Sequence, residues 1–194
     1  MSGARSSSTT RRRRSVELVA FIRGANVGGY RRFRPAVVAR ALSRYDVVNV
    51  GAAGTFVVRK PKPRAEFLAA LRRELPFSAE ILLCDSGDIL QLETEHPFGA
   101  EASAADVTRF VSVLPKPARS SVDLPITFPG DGDWLVRVIQ ARGRFVFGTY
   151  RRHMKTIGYL GEIDKLFGAR ATTRNWNTVE AIVRILREPV TNGR

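Results

Sequence analysis

Two short segments of this chain combine residue types that can hold a charged or amide-bearing ligand. In Arg23–Gly29, RGANVGG, Arg23 and Asn26 carry donor side chains, and Gly28 and Gly29 allow backbone N–H groups to approach closely. Arg31, Arg32 and Arg34 follow and add positive charge. The segment lacks the G-K-[ST] ending of a P-loop and the GxGxxG spacing of a dinucleotide fingerprint, so the generic pattern names no ligand. A purely conformational account stays open, in which Gly24, Gly28 and Gly29 supply turn geometry and Asn26 makes a local turn hydrogen bond.

The second segment is Ala171–Thr178, ATTRNWNT. Thr173 is read as the N-cap of a following helix and Trp176 as an anchor in the core. Those roles leave Thr172, Arg174, Asn175, Asn177 and Thr178 without a folding explanation. Polar groups around a helix N-terminus, with a guanidinium that can grip carboxylate or phosphate through two hydrogen bonds, suit an anionic or amide-bearing ligand. The competing account is a cap with solvated neighbours.

The other candidates have plainer explanations. Cys84 ends an apolar strand beside Asp85, which favours a buried structural thiol over a nucleophile. His96 and His153 stand far apart with no cluster of ligating residues, so no metal site is expected. Ser86-Gly87-Asp88 reads as a turn and helix cap, and Asp131-Gly132-Asp133 as a hairpin turn. Trp134, Phe145, Phe147 and Tyr150 alternate as core aromatics do, although such rings can also stack on bases.

These segments need a frame to position them. A chain of 194 residues with 44% hydrophobic residues can bury a core, and its apolar runs are too short to cross a bilayer. One cysteine excludes an intramolecular disulfide, a CxxC pair and a multi-cysteine zinc site, and suits the cytoplasm. The net charge of +14 is split by the stretch from Glu80 to Asp106, which holds seven acidic and no basic residues. Such a field attracts nucleic acid, nucleotides or anionic lipid. Arg outnumbers Lys 27 to 5, however, so compositional bias explains the charge equally well. No cofactor is expected. Residues 1–14 carry five Arg, no acid and no apolar side chain beyond Met1 and Ala4, and read as an unprocessed disordered tail.

Periodicity predicts a strand over Val16–Ile22, a helix from Pro35 with Val37, Val38, Ala41, Leu42 and Tyr45 on its inner face, and strands at Val47–Val50 and Thr55–Arg59 around a GAAG turn. A second helix carries Phe67, Leu68, Leu71 and Leu75, and a fourth strand spans Glu80–Cys84. The order is the ferredoxin-like βαββαβ pattern, expected over residues 15–84. A helical linker is expected over 85–105, with Ser86–Glu95 helical. A second α/β subdomain follows over 106–190, with strands at Val107–Leu114, Leu124–Phe128, Trp134–Gln140 and Phe145–Tyr150. Helices at Gly161–Phe167 and Asn175–Arg187 close it, the latter with Trp176, Val179, Val183 and Leu186 on one face. The expected fold class is α+β, with two ferredoxin-like subdomains, the second degenerate and ending in helices.

RGANVGG and GARATTRNWNTV, about 145 residues apart, together resemble the bacterial family called domain of unknown function 1697, and His96-Pro97-Phe98 is similar to a third feature of it. The resemblance runs from about Val16 to Arg187. It departs at the hairpin, where Ala52-Ala53-Gly54-Thr55 replaces a turn resembling Q-S-G-N, and at Ala25, where a larger aliphatic residue is usual. The resemblance implies paired ferredoxin-like subdomains and no particular reaction.

The function expected from these residues is binding of an anionic ligand, a nucleotide or nucleic acid, in a groove between the halves, with Arg23, Asn26, Gly28, Gly29, Arg174, Asn175 and Asn177 as contacts and no membrane partner. Two alternatives remain: a small-molecule enzyme that uses Arg174 and the asparagines electrostatically, and a non-catalytic module whose two motifs lock the halves together. A solvent-inaccessible, hydrogen-bonded Arg174 would favour the last.

Overall fold

The computed structural model describes residues 16–25, 32–99, 106–118 and 122–189. The first apolar run forms β1 (Leu18–Ile22), buried throughout. Helix α1 (Pro35–Ala41) starts on proline, whose fixed φ suits a first turn. A 3-10 turn at Ser43–Tyr45 leads to β2 (Val47–Asn49) and β3 (Thr55–Val58), then α2 (Arg64–Glu74) and β4 (Ile81–Asp85). The sheet order is β2-β3-β1-β4 with every neighbour antiparallel, so the split βαβ topology is complete.

The second half opens with α3 (Ser86–Thr94) and β5 (Val107–Val113), followed by β6 (Ile126–Phe128), β7 (Val136–Arg142) and β8 (Phe145–Arg151). Two short helices, α4 (Thr156–Leu160) and α5 (Glu162–Phe167), precede β9 (Thr172–Asn175) and α6 (Trp176–Arg187). The sheet order is β6-β7-β8-β5-β9, again antiparallel throughout. Without β6 this is the order of the first sheet. Degeneracy lies in the first crossover, where β6 at the sheet edge stands in place of a helix, and in the second, where two short helices replace one.

Side-chain alternation places the layers. Leu18, Ala20 and Ile22 face an outer core with α1 and α2, where they meet Val38, Leu42, Phe67 and Leu71. Val19 and Phe21 face inward, to a core shared with Val111, Val113 and Phe147 of the second sheet. Ile89 and Leu92 of α3 and Trp176, Val179, Ile182 and Val183 of α6 fill that shared core. Each of these side chains contributes roughly 1.5–3 kcal/mol through burial. Phe110, Val136, Val138 and Val146 pack outward against Ile163 and Phe167.

Several sequence expectations need correction. Thr172–Asn175 is a strand paired to β5, and Asn175, rather than Thr173, caps α6, its side chain accepting from the Thr178 N–H at 3.0 Å. The helix expected at Gly161–Phe167 is present as α5, closed by Gly168 in a left-handed conformation, and the short helix α4 before it lies outside the expected elements. On α1 the inner face is Val38 and Ala39, with Leu42 just beyond it, whereas Val37 and Ala41 are exposed, because Val38, Leu42 and Tyr45 form the buried stripe and the residue before each of the first two lies to its side.

Candidate functional site

The geometry that decides the role of ATTRNWNT centres on Arg174, which β9 carries into the seam between the halves. Its Nε donates to Thr55 Oγ1 at 2.7 Å, and Nη1 donates to Thr172 Oγ1 at 2.9 Å and to the Thr173 carbonyl at 2.8 Å. Nη2 donates to the carbonyls of Ile22 and Ala53 at 2.9 and 2.7 Å, with Gly54 O at 3.4 Å. A guanidinium has five N–H donors, and these acceptors take all of them. The residue is 7% exposed, and the guanidinium sits 5.7 Å from the Phe21 ring centroid. Burial lowers its pKa to about 10, which leaves it charged near neutrality. A buried cation is tolerated when its donors are matched in this way.

The acceptors reach Arg174 because the β2–β3 hairpin turns its backbone inward. Gly54 has φ +70, and a Cβ there would sit 3.0 Å from Ile22 Cβ and 3.1 Å from Ala25 Cβ, so glycine is required on both counts. Ala53 and Gly54 contribute carbonyls, so the absence of polar side chains in Ala52-Ala53-Gly54 costs this contact nothing.

Arg23 works beside it. Its Nε donates to the Ala171 carbonyl at 3.0 Å, and Nη2 reaches Asp164 at 2.7 Å, a carboxylate that also accepts from the Ala171 N–H at 2.8 Å. RGANVGG and ATTRNWNT therefore do meet, through Arg23 and Arg174, and both arginines bind the opposite half of the fold. Asn175 is a helix cap and Asn177 is exposed. Asn26, Gly28 and Gly29 lie outside the described residues.

Two further arginines cross the seam, and nothing in the sequence around them marks them out. Arg59 donates to the Ile185 carbonyl at 2.8 Å, and Arg144 donates to Leu114 and Leu83 carbonyls, each at 2.8 Å. No local motif surrounds either, since their partners are backbone carbonyls distant in sequence. Cys84 is 1% exposed, and burial pushes its thiol up to about 11, with Asp88 and Asp85 adding to the rise and Arg144 opposing it. Among the described residues no three His, Cys, Asp or Glu side chains gather as a metal site, and no helix is long and apolar enough to cross a membrane.

Two packed ferredoxin-like α/β subdomains joined by arginines define the class. No family model and no curated protein matches the chain. Among solved structures it is similar to the conserved bacterial protein SP0830 from Streptococcus pneumoniae, at 15% identity and a TM-score of 0.56, over 89% of this chain and 99% of that one. The similarity is one of fold.

Proposed function

We propose that this protein is a non-catalytic binding module of the domain of unknown function 1697 type, in which the two motif arginines are internal locks that fix the halves as one platform. The observation that carries this reading is the saturation of Arg174: every N–H is taken by the fold, leaving none for a ligand. The family proposal draws support from the same place, since the two segments behind the resemblance are the ones whose arginines cross the seam.

Arg174→Lys tests it, because lysine keeps the charge and loses the planar fork. Breaking a buried, paired charge costs about 3 kcal/mol or more, so Tm should fall by roughly 6–12 °C for a domain of this size. Binding of ATP and of a mixed-sequence oligonucleotide, measured below the new Tm, should match the wild type. An unchanged Tm with lost binding would make Arg174 a ligand contact.

A second reading, nucleic-acid binding, is favoured by one cluster. Phe33 meets Phe77 edge-on at 5.7 Å, which brings the segment before α1 beside the end of α2. Exposed Arg32 and Arg34 flank Phe33, and exposed Arg72 and Arg73 lie in the last turn of α2, none of them ion-paired among the described residues. If they contact phosphates, replacing all four with Ser should flatten the log–log salt dependence of oligonucleotide binding by about 0.7–0.9 per arginine. An unaltered slope would exclude this face.

A further inference from the structure

A cleft of about 240 Å³ opens between the end of α3, the His96–Gly99 turn, β5 and the start of α6. Its walls include Glu93, His96, Phe98, Arg109, Trp176 and Glu180. The His96-Pro97-Phe98 segment and the tryptophan of NWNT thus converge on a single concavity that the seam arginines leave untouched. Phe98 packs against Trp176 with ring centroids 4.9 Å apart, and against Phe147 at 6.1 Å, which makes a rigid aromatic floor. The Pro97 carbonyl is held by the Gln140 side chain, and His96 takes a left-handed backbone with φ 43. That conformation is costly for a residue with a side chain and persists where the surroundings impose it.

The charges around this floor are of both signs. Glu93 is neutralised by Arg187 at 2.5 Å. Arg109 lies 5.5 Å from the Phe98 ring centroid, and neither Arg109 nor Glu180 has an ion-pair partner among the described residues. An open cation and an open carboxylate therefore share one aromatic-floored cleft. A phosphate ligand would meet the unpaired carboxylate of Glu180, and a simple amine would leave Arg109 unmatched. The volume is below the roughly 300–1,000 Å³ typical of sites for drug-sized ligands, so the occupant is small.

We propose that this cleft binds a free amino acid or a close zwitterionic analogue, with its carboxylate on Arg109, its ammonium on Glu180, and its apolar side chain against Phe98 and Trp176. This goes beyond the binding-module reading and does not depend on Arg174. The chain has two tryptophans, so Trp134→Phe leaves Trp176 as the sole indole reporter. Full-length W134F should show saturable fluorescence changes with L-leucine or L-phenylalanine. Phenethylamine and 3-phenylpropionate, each carrying one of the two charges, should bind at least about tenfold more weakly, the scale of one charge-assisted hydrogen bond. In the W134F background, Arg109→Gln should abolish the preference for phenylalanine over phenethylamine, Glu180→Gln the preference over 3-phenylpropionate, and Arg109→Lys should retain the first. Circular dichroism confirms that each variant is folded. The proposal is overturned if no amino acid gives a saturable change up to about 10 mM, if the one-charge analogues bind as tightly, or if both neutral variants keep wild-type discrimination.

Discussion

The last strands of the two halves occupy the same place in their sheets and are built from opposite chemistries. β4 pairs with β1 so that Val19 faces Cys84 and Leu18 faces Asp85. β9 pairs with β5 so that Val111 faces Arg174 and Phe110 faces Asn175. Asp85 and Asn175 each stand directly before a helix, α3 or α6, which fixes the correspondence. Cys84 is then the counterpart of Arg174. One buried position takes a small thiol and the other a guanidinium with five N–H donors, all matched by acceptors, yet both strands keep their register. Backbone pairing and the following helix hold the strand, while the side chain at this position decides whether it packs into the shared core or grips the neighbouring half through hydrogen bonds.

The same correspondence exposes a packing exchange one strand further in. Leu18 faces Val58 in the first sheet, and the equivalent pair in the second is Phe110 opposite Gly148. A Cβ on Gly148 would lie 2.2 Å from the Arg137 carbonyl oxygen and 2.5 Å from Phe110 Cζ. Gly148→Ala is therefore expected to have the largest effect of any substitution that separates the two sheets, a loss of roughly 3 kcal/mol or more from overpacking in a buried sheet. Adding Phe110→Leu, which imitates the first half, should restore only part of it, because the carbonyl clash is with backbone. Urea denaturation of both variants measures this, and full recovery in the double variant would show that the ring alone makes the second sheet require glycine.

The contrast between the two end strands also explains which elements are legible in the sequence. β4 is legible because ILLC is an apolar run, β1 and β3 are legible for the same reason, and α6 is legible from its helical spacing, with Trp176, Val179 and Val183 buried as that spacing predicts. β9 is hidden because its buried residues are Thr172 and Arg174, polar types that normally mark a surface or a cap. What buries them is hydrogen bonding across 119 and 152 residues of chain, together with the Ser112–Thr173 hydroxyl pair at 2.6 Å, and no local pattern reports such partners. Thr-Thr is β-branched, and that propensity is the one available sign of a strand. The residue types of RGANVGG and ATTRNWNT suggest that the two meet, but as a groove for a ligand; Arg23 and Arg174 instead hold the fold's own carbonyls.

Cys84 yields the next effect in size, and it depends on pH. Its folded-state pKa is raised from 9.0 to about 11, so the folded form holds its proton more tightly than the unfolded chain does. The stability this confers is complete below pH 9 and is lost as pH rises to about 11, a change of about 3 kcal/mol across the two-unit window. Cys84→Ala should be less stable at pH 7 through the small cavity it leaves, yet should decline less steeply than the wild type between pH 9 and 11. Parallel decline of the two proteins would mean that the thiol is not held neutral by burial.

The smallest effect separates the two helix starts. Asn175 accepts from the Thr178 N–H at 3.0 Å and from its hydroxyl at 2.8 Å, whereas Asp85 makes no capping hydrogen bond and instead lies 3.3 Å from Arg64 at the surface. Asn175→Ala should cost about 1 kcal/mol, the usual value of a cap side chain. Asp85→Ala should cost a few tenths, the usual value of an exposed ion pair. The difference should persist in high salt, because screening weakens the Arg64 pair and barely touches the Asn175 hydrogen bond. Chemical denaturation with urea at low and high NaCl reads both. Equal losses would imply that Asp85 supports α3 through the helix dipole as strongly as Asn175 supports α6 through its cap, and the two strand ends would then differ in residue type but not in function.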